Sequence, residues 1–186
     1  MEEPQLQNHR LSLRFFTVED AEALLRLHRK NQEFFRKYSS TRAPDFYTLD
    51  AQRSAIIREE RGRDEGSRYS FGIFLKETGE LIGGVALTEV VRGALQSCFI
   101  GYFLDREQNG KGYTTEAVNL ALRFAFGELK LHRVEAGVMP HNLASMRVLE
   151  KCGFQKEGIA RKCVEIDGAW QDHQILATLA DEFHPE

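Results

Sequence analysis

The chain has 186 residues, 42% of them hydrophobic and 28% charged, with a formal charge of −3 and a pI near 6.1. That length is close to the commonest size of one domain and is enough to bury a core. The mild acidity argues against a nucleic-acid binder, which carries a basic face.

In chain order, residues 11–16 alternate as a first strand, and Thr17-Val-Glu-Asp20 reads as a capping box. It opens a helix whose apolar positions are Ala21, Leu24, Leu25 and Leu27. A second helical piece covers residues 31–38, a loop carries Pro44, and a third helix runs from 49 to about 63. Residues 69–75, 81–90 and 97–104 read as an antiparallel meander, with turns at 76–80 and 92–93. The spacing of Ala117, Leu120, Ala121, Phe124 and Ala125 predicts a helix over 114–129. A strand over 133–139 stops at Pro140, and a short helix over 143–151 ends with Gly153 at C′. Two last strands, 154–166 and 170–179, flank an Asp167-Gly168 turn. No linker, repeat or low-complexity segment breaks the pattern, so residues 1–186 are expected to form a single α/β domain.

Cys98, Cys152 and Cys163 show no Cys-x-x-Cys spacing and read as free thiols of a reducing compartment, with no metal site. No apolar run reaches membrane-spanning length, and the polar start over residues 1–10 is unlike a signal peptide. A cytoplasmic protein without membrane or nucleic-acid partners is the expectation. A homodimer is compatible with the chain.

Chemistry is signalled where the third meander strand gives way to a helix, in Leu104-Asp-Arg-Glu-Gln-Asn-Gly-Lys-Gly-Tyr-Thr-Thr-Glu116. The first N–H groups of a helix lack partners inside it and lie at the positive end of its dipole, a ready seat for phosphate. Gly110 and Gly112 remove the Cβ atoms that would hold a pyrophosphate off the backbone. The pattern is neither a P-loop, because Lys111 stands between the glycines, nor Gly-x-Gly-x-x-Gly, because Thr115 replaces the third glycine. Taken alone, it is equally a glycine-rich turn with no ligand.

Other fragments follow in a fixed order around it. They are Val-Val-Arg-Gly at 90–93, Ile-Gly-Tyr at 100–102, Glu-Ala at 116–117 and His-Arg-Val-Glu-Ala at 132–136. Then come Met-Pro-His-Asn-x-x-Ser at 139–145, Gly-Phe-x-x-Glu-Gly at 153–158 and Ile-Asp-Gly-x-Trp-x-Asp-His at 166–173. This series resembles the GNAT N-acetyltransferase superfamily, and within it the Rim branch that acetylates protein N-termini. The fragments at 90–93, 139–142 and 166–173 are nearest to the RimJ type, which acetylates the N-terminal alanine of a ribosomal protein.

The resemblance implies a central mixed, mostly antiparallel sheet flanked by helices, with strands splayed where acetyl-CoA binds. It implies acetyl-CoA as co-substrate, no metal, and a protein N-terminus as acceptor. The pantetheine arm would lie along Tyr102, Phe103 and Leu104, and Gln108, Asn109, Gly110, Lys111, Gly112 and Tyr113 would wrap the pyrophosphate. Lys111 is either a phosphate contact or a solvated loop lysine. Asn142 would touch the arm, and Ser145 would be catalytic, its hydroxyl near the thioester sulfur. By spacing alone both read as ordinary helix-capping residues.

Departures from the family pattern are also visible. Glu107 stands where Gln or Arg is usual, Phe99 at a position often acidic, and Val164 where some relatives carry a glutamate. The base is therefore open among Asp172, His173, Glu157, His132 and water. The aromatic cluster Phe34, Phe35, Tyr38, Phe46 and Tyr47 reads as core or as a wall of the acceptor pocket, and Trp170 sits at a hairpin tip. Two rivals remain: an acetyltransferase for a small amine (polyamine, amino acid or antibiotic), and a non-catalytic acyl-CoA binding module.

Overall fold

The computed structural model describes residues 6–184, so part of the polar start falls outside it. Eight strands form one sheet in the order β1-β2-β3-β4-β5-β6-β8-β7. They are β1 Leu6–Gln7, β2 Leu11–Phe15, β3 Tyr69–Leu75, β4 Leu81–Val91, β5 Ser97–Leu104, β6 Arg133–Val138, β7 Gln155–Ile166 and β8 Ala169–Leu179. Every neighbouring pair is antiparallel except β5 with β6. Helices α1 Ala21–Lys30, α2 Gln32–Arg36 and α3 Leu49–Asp64 precede the meander, and α4 Tyr113–Arg123 and α5 Leu143–Lys151 flank β6.

The meander and the last helix follow the bounds expected from sequence, because turn residues punctuate alternating apolar runs there. Other elements differ. A strand β1, described from Leu6 to Gln7, pairs with β2 in the stretch that the sequence marks only as polar. Pro44–Tyr47 winds into a 3-10 turn inside the expected loop. The expected long helix ends at Arg123 and passes into a π turn, Phe124–Glu128, where Leu129 N donates to Phe124 O at 3.0 Å. The wider turn lets Phe124 stay packed on Phe15, Tyr69 and Phe71 while Leu129 and Leu131 also bury.

The main core lies between the sheet and α4–α5, around Leu11, Leu13, Phe71, Ile73, Leu122 and Leu176. A second cluster joins α1 and α3 to the opposite face through Leu24, Leu27, Ile56, Phe74 and Leu81. Cys98 and Cys152 are buried, which pushes both thiols up to about 12, and Cys163 is exposed. No helix among the described residues is long and apolar enough to cross a membrane.

At the far end, β7 pairs with β8 in a register broken twice, between Lys156 and Gly158 and between Ala160 and Val164. Their turn has positive φ at both Asp167 (51°) and Gly168 (75°), which matches the right-handed strand twist.

Gly84 on β4 faces Phe103 across the ladder, and the ring occupies the space where a side chain would start. An added Cβ would stand 2.7 Å from Phe103 Cε1. Gly84→Ala is expected to lower unfolding free energy on the order of 1–3 kcal/mol by overpacking, measured by urea denaturation. An unchanged midpoint would mean that the ring swings aside freely.

Candidate active site

The parallel pair β5–β6 has only three rungs, from Ser97 opposite Arg133 to Phe99 opposite Glu135. Beyond them β5 stays with β4 as far as Leu104, while β6 stays with β8 as far as Val138. The edge of β5 over residues 100–104 therefore turns a row of backbone groups toward a gap. Such groups need a partner, and an extended arm carrying amides supplies one. Gly101 and Gly137 each stand two residues past the last rung, so neither wall carries a side chain there. An added Cβ at Gly101 would meet nothing within 4 Å.

The turn that follows β5 is built in steps. Asp105 caps a 3-10 turn, Arg106–Gln108, by accepting from Glu107 N at 3.1 Å, and Arg106 N donates to Asn31 Oδ1 at 2.9 Å. Gly110 and Gly112 then take φ of 78° and 84°, conformations that L side chains rarely adopt, and Gly112 becomes the N-cap of α4. The N–H groups of Gly110, Lys111 and Gly112 find no acceptor among the described residues. A Cβ at Gly110 would meet nothing within 4 Å, so the space outside the turn is open to a bulky anion.

The charges around the turn are ordered. Lys111 Nζ donates to the neutral amide Oε1 of Gln108 at 2.8 Å. Glu107, at the position of the family departure, pairs with Lys30 at 2.7 Å, and Lys30 also reaches the buried Asp105 at 2.8 Å. Burial would push the Asp105 carboxyl up, but Lys30 and the Glu107 N–H hold it below the usual carboxylate range.

Across the gap, Asn142 is the N-cap of α5, its Oδ1 accepting from Ser145 N at 3.2 Å. Its Nδ2 donates to no described residue. Ser145 has a different role from capping: its Oγ lies 2.8 Å from the Tyr102 hydroxyl, whose one proton has both that Oγ and, at 3.3 Å, Ser145 O within reach. Burial pushes the Tyr102 phenol up despite that bond, so it stays protonated. Tyr102 was expected to contribute backbone alone; its side chain is a strut between β5 and α5, and no local pattern announces it.

The four candidate bases are scattered. Glu157 is held by Arg133 at 2.7 Å, and that bond keeps its carboxyl below the usual range. Asp172 Oδ1 accepts from Lys162 N at 2.8 Å, closing a bulge in β7. His132 is exposed where β6 begins. His173 is buried on β8 over Gly137, where an added Cβ would come within 3.6 Å of its Cδ2. None of the four bonds to Ser145 or Tyr102. Val164 is partly exposed on the outer half of β7.

The aromatic cluster is neither deep core nor free surface. Phe35, Phe46 and Phe103 surround the ring of His28, at 5.9, 4.9 and 5.1 Å between centroids. Burial pushes that imidazole down to about 4, with Arg42 adding to the effect, so it is neutral at physiological pH. Phe34 packs on Phe35 and on Tyr38, and Tyr47 on Phe46. No residue of α2 is fully buried, so the cluster forms a wall beside β5. Arg36 on α2 reaches Asp167 at 3.0 Å, joining that wall to the β7–β8 hairpin where Trp170 is exposed. No group of three or more His, Cys, Asp or Glu side chains among the described residues is placed to hold a metal ion.

A parallel pair splayed beside a glycine turn, with a helix opening at each side of the gap, defines the class. The chain belongs to the acetyltransferase (GNAT) family, whose domain model matches residues 10–155. It is 53% identical over 94% of its length to the probable N-acetyltransferase YjcK of Bacillus subtilis, covering 96% of that protein. It is 30% identical over 97% of its length to the [ribosomal protein uS5]-alanine N-acetyltransferase of Escherichia coli, covering 93% of that protein. Among solved structures, Mycobacterium smegmatis RimJ in complex with CoA-disulfide matches with a TM-score of 0.89 and 31% identity, covering 92% of this chain and 83% of that one.

The geometry separates capping from chemistry. Asn142→Ala should cost about 0.5–2 kcal/mol of stability by removing the α5 cap, whereas Ser145→Ala should spare the cap. Thermal unfolding of both variants decides it; a larger loss for Ser145→Ala would mean that the Tyr102 strut outweighs the cap.

Proposed function

We propose that the chain transfers acetyl from acetyl-CoA to the α-amine of a protein N-terminus, the alanine of a ribosomal protein. The observation that carries the transfer is the Tyr102–Ser145 hydroxyl pair at the mouth of the β5–β6 gap, next to an open, donor-rich glycine turn. The acceptor class rests on the likeness to the uS5-alanine enzyme.

Acetyl-CoA supplies the acyl thioester. The unpaired edge of Tyr102, Phe103 and Leu104 holds the pantetheine arm, with Asn142 Nδ2 on an arm carbonyl. Gln108, Asn109, Gly110, Lys111, Gly112 and Tyr113 receive the pyrophosphate, chiefly by backbone N–H groups. The neutral amine attacks the thioester carbon, a C–N bond forms, the C–S bond breaks, and the thiolate takes a proton. Burial keeps Tyr102 protonated, and when its proton lies on the 2.8 Å bond to Ser145 Oγ the serine proton is free to face sulfur. The amine's proton leaves to water, since the candidate carboxylates Glu157 and Asp172 are engaged and Phe99 and Val164 are apolar.

Ser145→Ala should lower kcat by at least about tenfold and change CoA affinity less than about twofold, because its bond strengthens as charge develops on sulfur. Thioester consumption and calorimetry on the same variant measure both. Consumption with an Ala-starting peptide supports the proposal; consumption with spermidine alone would assign a small-amine enzyme, and none with either would leave an acyl-CoA binding module.

Without a dedicated base, activity should rise with pH toward the acceptor α-amine pKa, about 8, and a lysine ε-amine, about 2.5 units more basic, should be a far poorer acceptor at neutral pH. The profile of acetyl transfer to an Ala-starting peptide is read beside Asp172→Asn and His173→Gln. A rising limb near pH 6 that one of these variants abolishes would replace water with that residue.

A further inference from the structure

Arg10 lies in the turn between β1 and β2, about a hundred residues before the glycine turn, yet its guanidinium touches four consecutive features of the β5–α4 junction. Nη2 donates to Lys111 O at 3.0 Å. Nε and Nη2 both bind the Glu116 carboxylate in the first turn of α4, Nε to Oε2 at 3.3 Å. The cation also sits 4.6 Å from the Tyr113 ring centroid, and an added Cβ at Gly112 would come within 3.3 Å of Nη2.

The arm is itself anchored. Asn8 Oδ1 accepts from Arg10 N at 2.8 Å and Leu11 N at 2.7 Å, while its Nδ2 donates to Glu116 at 2.9 Å. Arg10 O accepts from Lys76 N at 2.9 Å, which fixes its backbone to the end of β3. Sheet, arginine and helix start thus form one continuous restraint.

The consequence for the turn follows from peptide geometry. In a trans peptide the C=O and the N–H of the next residue point in opposite directions. Holding the Lys111 carbonyl toward Arg10 therefore turns the Gly112 N–H away from Arg10, in a peptide that Gly112 would otherwise leave free to flip. Arg10 is paired with Glu116, so the couple adds no net charge and its effect on an anion is directional.

We propose that Arg10 is a positioning residue for donor binding: it orients the Lys111–Gly112 peptide so that the turn presents its N–H groups to the pyrophosphate. This rests on the assignment of the turn to the pyrophosphate of CoA. A lysine at this position keeps the ion pair with Glu116 but lacks the planar fork that holds carboxylate and carbonyl together.

The test compares the parent with Arg10→Lys and Arg10→Gln, using CoA binding by calorimetry and steady-state transfer from acetyl-CoA and from S-acetylpantetheine, which has no pyrophosphate. Arg10→Lys should keep the parent melting temperature, weaken CoA about tenfold, raise KM for acetyl-CoA in step, and leave both kcat and the S-acetylpantetheine KM unchanged. Arg10→Gln should weaken CoA at least as much. Unchanged CoA affinity in the folded variants overturns the proposal, as does an equal loss with both donors, which would mark a general structural role. A parent that binds CoA no more tightly than pantetheine would instead overturn the assignment of the turn.

Discussion

The divergence of β5 from β6 after three rungs governs the rest of the site. A parallel pair needs a crossover helix, and here that helix is α4, entered through the glycine turn and left through the π turn. Had the ladder continued, residues 100–104 would have spent their backbone groups on β6. Because it stops, one edge of the strand is left without a partner strand, as the proposed seat of the pantetheine arm requires. The gap's width is set from outside by Tyr102 reaching Ser145, and its walls are kept bare by Gly101 and Gly137.

Three of the cations around the gap answer five carboxylates. Lys30 answers Asp105 and Glu107, Arg10 answers Glu116, and Arg133 answers Glu135 and Glu157. An anion arriving at the turn therefore meets backbone dipoles more than side-chain cations, with Lys111, resting on a neutral amide, as the mobile charge. Glu107 is compatible with the proposed pyrophosphate turn because Lys30 from α1, shared with Asp105, is already paired with it.

Legibility in the sequence followed the range of the forces involved. The meander, the glycine turn, α5 and the last hairpin were readable because periodicity and turn residues act within a few positions; the strands 69–75 and 97–104 match the observed bounds. The residues around Gly110, Asn142 and Ser145 were singled out by resemblance. The partners of those residues were not. Tyr102 meets Ser145 across 43 positions, Glu107 meets Lys30 across 77, and Arg10 meets Lys111 across 101. Only the folded sheet makes them neighbours. The π turn escaped for a related reason: helical spacing continues through Phe124 and Ala125, and the competition among Phe124, Leu129 and Leu131 for one core decides where the winding widens.

The β7 margin of the sheet meets a common hazard. An open sheet offers unpaired margins, each a template on which another chain can grow. The twelve-residue β7 is long, but its pairing with β8 is interrupted twice and Lys156, Arg161 and Lys162 stud it. A foreign strand would find neither an even row of donors and acceptors nor an uncharged flank. The irregularity that breaks the β7–β8 register thus guards the fold against sheet-to-sheet polymerisation.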